Sequence, residues 1–219
     1  MVAKRRRTHR STISLVRGAG LGLLLTALSA GGCSRHPPSP KPPRLDAQAA
    51  AREALRLYDQ NGDGRLDAAE LAAVPALKMA LPRLDKNGDG AVAADEIAAR
   101  VTHFQTTRTK IEHGGVEVRL DGSPLAGATV TFEPEPFLGT AIPPISCVTD
   151  ESGIGVLSGH DPNFPGIYLG FYRVRVSRVV DGSETVPARY NAQSELGYEV
   201  TDDIEYRSNV MVFDLQGQS

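Results

Sequence analysis

The sequence predicts an α+β chain in which a small helical unit is followed by an antiparallel β sandwich, after an export leader and a Pro-rich linker. Three observations carry this. Residues 1–32 are basic and then apolar; residues 46–103 place apolar side chains at helical spacing around two Asp/Asn/Gly-rich turns; residues 114–217 alternate with period two between turn signals. A length of 219 residues suits two small modules and excludes a large multi-domain enzyme. The expected layout is therefore a leader over 1–32, a linker over 33–45, a helical pair over 46–103 and a β domain over 114–217.

The leader begins with a basic stretch, Met1 to Arg10, and continues through an apolar run centred on LGLLLTALSA. That order reads as a secretory signal peptide. The uncharged part, Gly18 to Gly32, is shorter than the roughly 20 apolar residues of a spanning helix. Cys33 follows Gly31 and Gly32 directly, and LSAGGC resembles the lipobox of bacterial lipoproteins, with Ala30 where that family usually has Leu. The resemblance implies lipidation of Cys33 and a membrane anchor, for which several acyl chains are needed because one binds only marginally. A plain cleaved signal with Cys33 as an ordinary thiol is the alternative. With Cys33 acylated, Cys147 has no intramolecular partner and reads as a small buried apolar residue. Residues 34–44, SRHPPSPKPPR, hold five prolines and read as an extended stalk.

Charge separates the leader from the rest. Residues 1–32 carry six Lys/Arg and no acid, leaving 18 Lys/Arg against 26 Asp/Glu for the remainder. So acidic a body has no general attraction for nucleic acid and suits cations.

The helical unit holds the strongest chemical signal. Asp59 to Glu70 reads DQNGDGRLDAAE and Asp85 to Glu96 reads DKNGDGAVAADE, and both satisfy D-x-[DN]-x-[DN]-G-x5-E. Calcium takes six to eight hard oxygen ligands, and a short loop converges on it only by turning at a residue free to adopt positive φ, here Gly64 and Gly90. The first loop offers side-chain oxygens from Asp59, Asn61 and Asp63, the Arg65 carbonyl, Asp67 directly or through water, and both oxygens of Glu70. The second offers Asp85, Asn87, Asp89, the Ala91 carbonyl and Glu96; Ala93 supplies no side-chain oxygen at the ninth position, so water fills in there. With four acidic ligands against three, the first loop is expected to bind more tightly.

These loops resemble the EF-hand family. Leu55, Tyr58, Leu66 and Leu71 recur 26 residues later as Leu81, Leu84, Val92 and Ile97, and Leu66 and Val92 should meet where the loops pair. The resemblance implies two calcium ions. Only fourteen residues separate Glu70 from Asp85, and Pro75 and Pro82 fall among them, so the middle helices must be short or kinked. That argues for a structural ion, bound in the range of about 10⁻⁴ to 10⁻³ M typical of extracellular modules.

In the β half, Val116–Leu120, Ala128–Phe132, Ile145–Thr149, Ile154–Leu157, Tyr172–Val180 and Val210–Leu215 read as strands. DGSPLAG, DESG and DGSE separate them, which favours a small antiparallel sandwich. Tyr172, Val174 and Val176 share one face, with Arg173, Arg175 and Arg178 expected on a solvated one. LDGSPLAGATVTFEPE, TDESGIGVL and PGIYLGFYRVRVS resemble carboxypeptidase regulatory-like, transthyretin-like modules. That resemblance implies a seven-stranded Greek-key sandwich without catalytic machinery.

Catalytic signals are weak. His103, His113 and His160 lack metal-site spacing, Ser158 beside His160 and Asp161 lacks a nucleophile elbow, and Glu133, Glu135 and Asp150 read as solvated carboxylates. The expected function is a calcium-binding, lipid-anchored envelope protein, not an enzyme, periplasmic or on the outer surface. Its β sandwich would present a surface to an envelope protein or a polysaccharide. An accessory subunit of an envelope hydrolase and a calcium-responsive switch are the alternatives.

Overall fold

The computed structural model describes residues 42–107, 111–112, 114–159, 166–204 and 210–217. The leader, Cys33, most of the Pro-rich linker, His113, His160 and Asp161 lie outside them. The described residues fall within one compact unit, Ser39–Ser219. Among them, no helix is long and apolar enough to cross a membrane.

Helix α1, Ala47–Tyr58, starts where Asp46 Oδ1 accepts from the Ala49 amide at 2.9 Å, satisfying one of the free N–H groups of the first turn. Ala50, Ala51 and Ala54 form its buried stripe. Strand β1 is Arg65–Leu66, and the exit from the first loop is only a 3₁₀ turn, Glu70–Ala73. Helix α2, Pro75–Leu84, carries Pro75 in its first turn, where a missing N–H costs nothing, and Pro82 inside. Pro75 sets the start of α2, which then runs through Pro82 to Leu84 at the edge of the second loop. Strand β2, Val92–Ala93, leads into α3, Ala94–Thr106, which buries Ile97, Val101 and Phe104.

The β half comprises β3 (Ile111–Glu112), β4 (Gly115–Leu120), β5 (Ser123–Pro124), β6 (Thr129–Pro134), β7 (Ile145–Val148), β8 (Ile154–Val156), β9 (Ile167–Tyr168), β10 (Gly170–Ser177), β11 (Val179–Val180), β12 (Ser183–Glu184), β13 (Leu196–Val200) and β14 (Val210–Leu215). One sheet runs β13-β10-β6-β7; in the other, β4 pairs with β14 on one side and with β5 and β8 on the other. Asp121 and Asp181 take positive φ (51° and 50°) ahead of Gly122 and Gly182, as tight hairpin turns require.

The α+β class agrees with the sequence, and strands cover the six predicted runs to within a few residues. The all-antiparallel expectation fails at one pair: β14 runs parallel to β4, with Met211 opposite Val116 and Phe213 opposite Val118. A hairpin dictates antiparallel pairing, but β14 arrives about ninety residues after β4, and no local turn sets its direction. Strand β13 was not foreseen.

The two sheets meet through aromatic side chains: Phe213 of β14 lies edge-on to Phe132 of β6 at 6.0 Å and to Tyr198 of β13 at 5.8 Å. The opposite face of β10 is covered by the helices. Phe171 lies edge-on to Phe104 of α3 at 5.2 Å, so Phe171 and Tyr172, on opposite faces, are both fully buried. The predicted solvated arginine face is thus partly an internal one. Arg173 donates to the Ala73 carbonyl at 2.7 Å, and Arg175 pairs with Glu133 at 2.9 Å.

Candidate metal centre

Both loops are closed by their own backbone amides. In the first, Asp59 Oδ1 accepts from Gly62 N (2.6 Å) and Oδ2 from Gly64 N (2.9 Å), while Asn61 Oδ1 accepts from Asp63 N (2.8 Å). Glu70 reaches back across the loop, Oε1 accepting from Gln60 N (2.7 Å) and Asn61 N (3.2 Å) and Oε2 from Asp67 N (3.0 Å). The second loop repeats the pattern. Asp85 accepts from Gly88 N (2.6 Å) and Gly90 N (2.8 Å), and Glu96 from Lys86 N (2.8 Å) and Ala93 N (2.9 Å). Gly64 and Gly90 turn the chain at φ of 84° and 80°.

The loops are joined back to back. Strands β1 and β2 pair antiparallel with Leu66 opposite Val92, as the internal repeat implies, and both side chains are fully buried. Arg65 reaches Asp63 of its own loop (3.3 Å) and Asp89 of the other (3.4 Å). The Ala91 amide donates to the Asp89 carboxyl and holds it below its usual range, with smaller pulls from Asn87 and then the Arg65 guanidinium.

Glu70 and Glu96 are 5% and 9% exposed, low for carboxylates without a cationic side-chain partner. Each bears more lone pairs than its amides use. Convergent acidic oxygens on a tight loop, the last of them buried, fit a hard divalent cation that would supply charge neutralisation. The predicted ligand residues Asp59, Asn61, Asp63, Asp67 and Glu70 share one loop; Asp85, Asn87, Asp89 and Glu96 share the other; Arg65 and Ala91, whose carbonyls complete the predicted sets, directly follow the turn glycines Gly64 and Gly90.

Residues 51–75 match the family model of the EF hand. This segment carries a calcium-binding motif. No curated protein and no solved structure matches the chain. The match takes in the first loop; the second stands on its repeat and on the geometry above.

Several groups around the loops are not among the residues singled out from the sequence. Glu199 on β13, fully buried, accepts from Arg83 Nε of α2 at 2.6 Å and is paired with Arg100 of α3. Arg100 also grips Asp203 with both terminal nitrogens (2.6 and 2.8 Å) and reaches Thr201 (3.0 Å). A signal did exist, because the 26-residue repeat breaks there: Arg83 and Arg100 replace Leu57 and Val74 of the first copy. His103 Nε2 lies 2.8 Å from Asp202, and with Asp203 these residues bring three possible ligand atoms within 4.8 Å of one another. Arg100 on Asp203 and Thr107 on Asp202 fill that space with donors, so the group is an ion-pair network at the end of α3. Glu135, expected in solvent, is fully buried. Cys147 is buried and unpaired, as expected, and burial pushes its thiol up to about 11.

Proposed function

We propose that this chain is a calcium-binding, lipid-anchored protein of the cell envelope, with one ion in each loop and a non-catalytic, transthyretin-like Greek-key β module that meets a partner. The observation that carries the calcium reading is the paired loop: two twelve-residue turns joined by β1 and β2, each ending in a buried glutamate that reaches back over its own loop. Asp59, Asn61, Asp63, the Arg65 carbonyl, Asp67 and Glu70 would hold the first ion. Asp85, Asn87, Asp89, the Ala91 carbonyl and Glu96 would hold the second, with water opposite Ala93. An ion bound by the folded chain alone stabilises it by mass action, the expected role at envelope calcium levels. The basic and apolar leader and the run LSAGGC support the anchor at Cys33.

Calorimetric titration of the full chain in detergent tests the calcium reading. The parent should take up two ions, and Glu70→Gln or Glu96→Gln should each weaken one site by more than about tenfold and leave the other. If both variants bind as the parent does, the ligand assignment is wrong. For the anchor, Cys33→Ser should move the protein from the membrane to the soluble fraction on cell fractionation; retention would point to another attachment.

A further inference from the structure

Taking the loops as calcium sites, we infer that Glu199 positions the second loop: one carboxylate on β13 bolts both helices that flank the loop to the β sheet, so this site is held preformed by a clamp that the first lacks.

The geometry is specific to one loop. Arg83 stands two residues before the loop's first ligand, Asp85, and Arg100 four residues after its last, Glu96. Glu199 takes Arg83 on Oε2 and Arg100 on Oε1, so the two ends share a single anchor. Arg100 lies one helical turn beyond Glu96, and residues i and i+4 share a face of a helix. Glu96, Arg83, Arg100 and Asp203 accordingly line one cavity of about 280 Å³ beneath the loop. Asp203 and Thr201 accept from the terminal nitrogens of Arg100, whose side chain is 9% exposed. A charged group so far out of water keeps its position only while its partners hold it.

Among the described residues, no buried carboxylate ion-pairs with both flanks of the first loop, whose exit is tied to the sheet by a bond from Arg173 to the Ala73 carbonyl. At the corresponding positions stand Leu57, 38% exposed, and Val74, buried among apolar side chains. Its exit is a 3₁₀ turn rather than a helix. The second loop has fewer acidic ligands, and a preformed frame offsets that shortage because less chain must be ordered when the ion arrives. The same clamp opposes a hinge opening of α2 against α3, since either helix would have to abandon a buried carboxylate to move.

The test uses the full chain with each loop silenced in turn. In a Glu70→Gln background, which leaves the second loop, Glu199→Gln should weaken calcium binding about tenfold, the size expected of a partner outside the ligand shell. In a Glu96→Gln background it should change binding less than about twofold. A calcium-free readout accompanies it. Amide exchange at Lys86 and Ala93, whose N–H groups are held by Glu96, should quicken in Glu199→Gln, with Gln60 and Asp67 unchanged. Equal losses at both loops, or none at either, overturn the inference. Should Glu199→Gln fail to fold, Arg83→Gln keeps the Arg100 pair and should show the same asymmetry at smaller size; no asymmetry in it also overturns the inference. A parent that binds no calcium would sink the function proposed above, and the exchange contrast would still decide the clamp.

Discussion

Gly197→Ala should destabilise the protein by about 3 kcal/mol, the upper end for an overpacked site, and lower its melting temperature by about 6–12 °C. Gly197 sits on β13 opposite Arg173 of β10, on the sheet face turned toward the helices. The start of α2 comes so close there that a Cβ would overlap the carbonyl group of Pro75 and the nitrogen of Ala76. All three atoms are backbone, so no rotamer change can relieve the contact; either α2 lifts off or β13 shifts. The sign of the result is diagnostic. At an ordinary strand position, replacing glycine by alanine restricts the unfolded chain and favours folding by about 0.4–1 kcal/mol. A thermal melt in which Gly197→Ala equals or exceeds the parent would show that α2 does not depend on this approach. Displacing α2 also carries Arg83 away from Glu199, so the calcium affinity of the second loop should fall with the stability.

What could be read in advance followed from local chemistry. The two loops, the meeting of Leu66 with Val92 and the abbreviated segment around Pro75 and Pro82 each depend on residues within about thirty positions of one another. Turn geometry and helix breaking are legible at that range. The arginines of β10 were misassigned because alternation tells which residues share a face and not what covers it; here helices from the other half of the chain cover it. Glu199 and Arg100 lie 99 residues apart, and Glu199 and Arg83 116. A carboxylate whose partners are that distant looks like any surface glutamate until packing brings them together. The parallel β14 escapes for the same reason, since its partner β4 lies near the start of the β half and β14 closes it.

Glu135 is where this shows in solution. It follows β6, its amide donates to Phe171 O at 2.9 Å, and its side chain is sealed between the helices and the sheet. Neither carboxylate oxygen has a hydrogen-bond partner. Arg173 of β10 stands 4.0 Å from the carboxylate, and the Ala76 amide of α2 and the Tyr58 hydroxyl of α1 draw on the group without bonding it fully, while Glu133 on β6 repels it. Burial outweighs these pulls and pushes the Glu135 carboxyl up to about 7; burial, with Glu135 second, likewise pushes Tyr58 up to about 12. An acid whose folded pKa lies above its unfolded value binds more protons folded than unfolded, so stability falls as pH rises between the two. The window runs from about 4.5 to about 7, and at 1.36 kcal/mol per pH unit the loss is about 3 kcal/mol. Asp203, held well below the usual range chiefly by Arg100, acts in a separate window, losing its contribution only as pH falls below about 4. Glu135→Gln carries no charge to bury, so its stability should be flat across the Glu135 window and exceed the parent's at pH 8, with the gap closing by pH 4.5. Urea unfolding at fixed, saturating calcium measures both curves, and parallel curves for parent and variant would mean that Glu135 is already solvated or fully paired in the folded state.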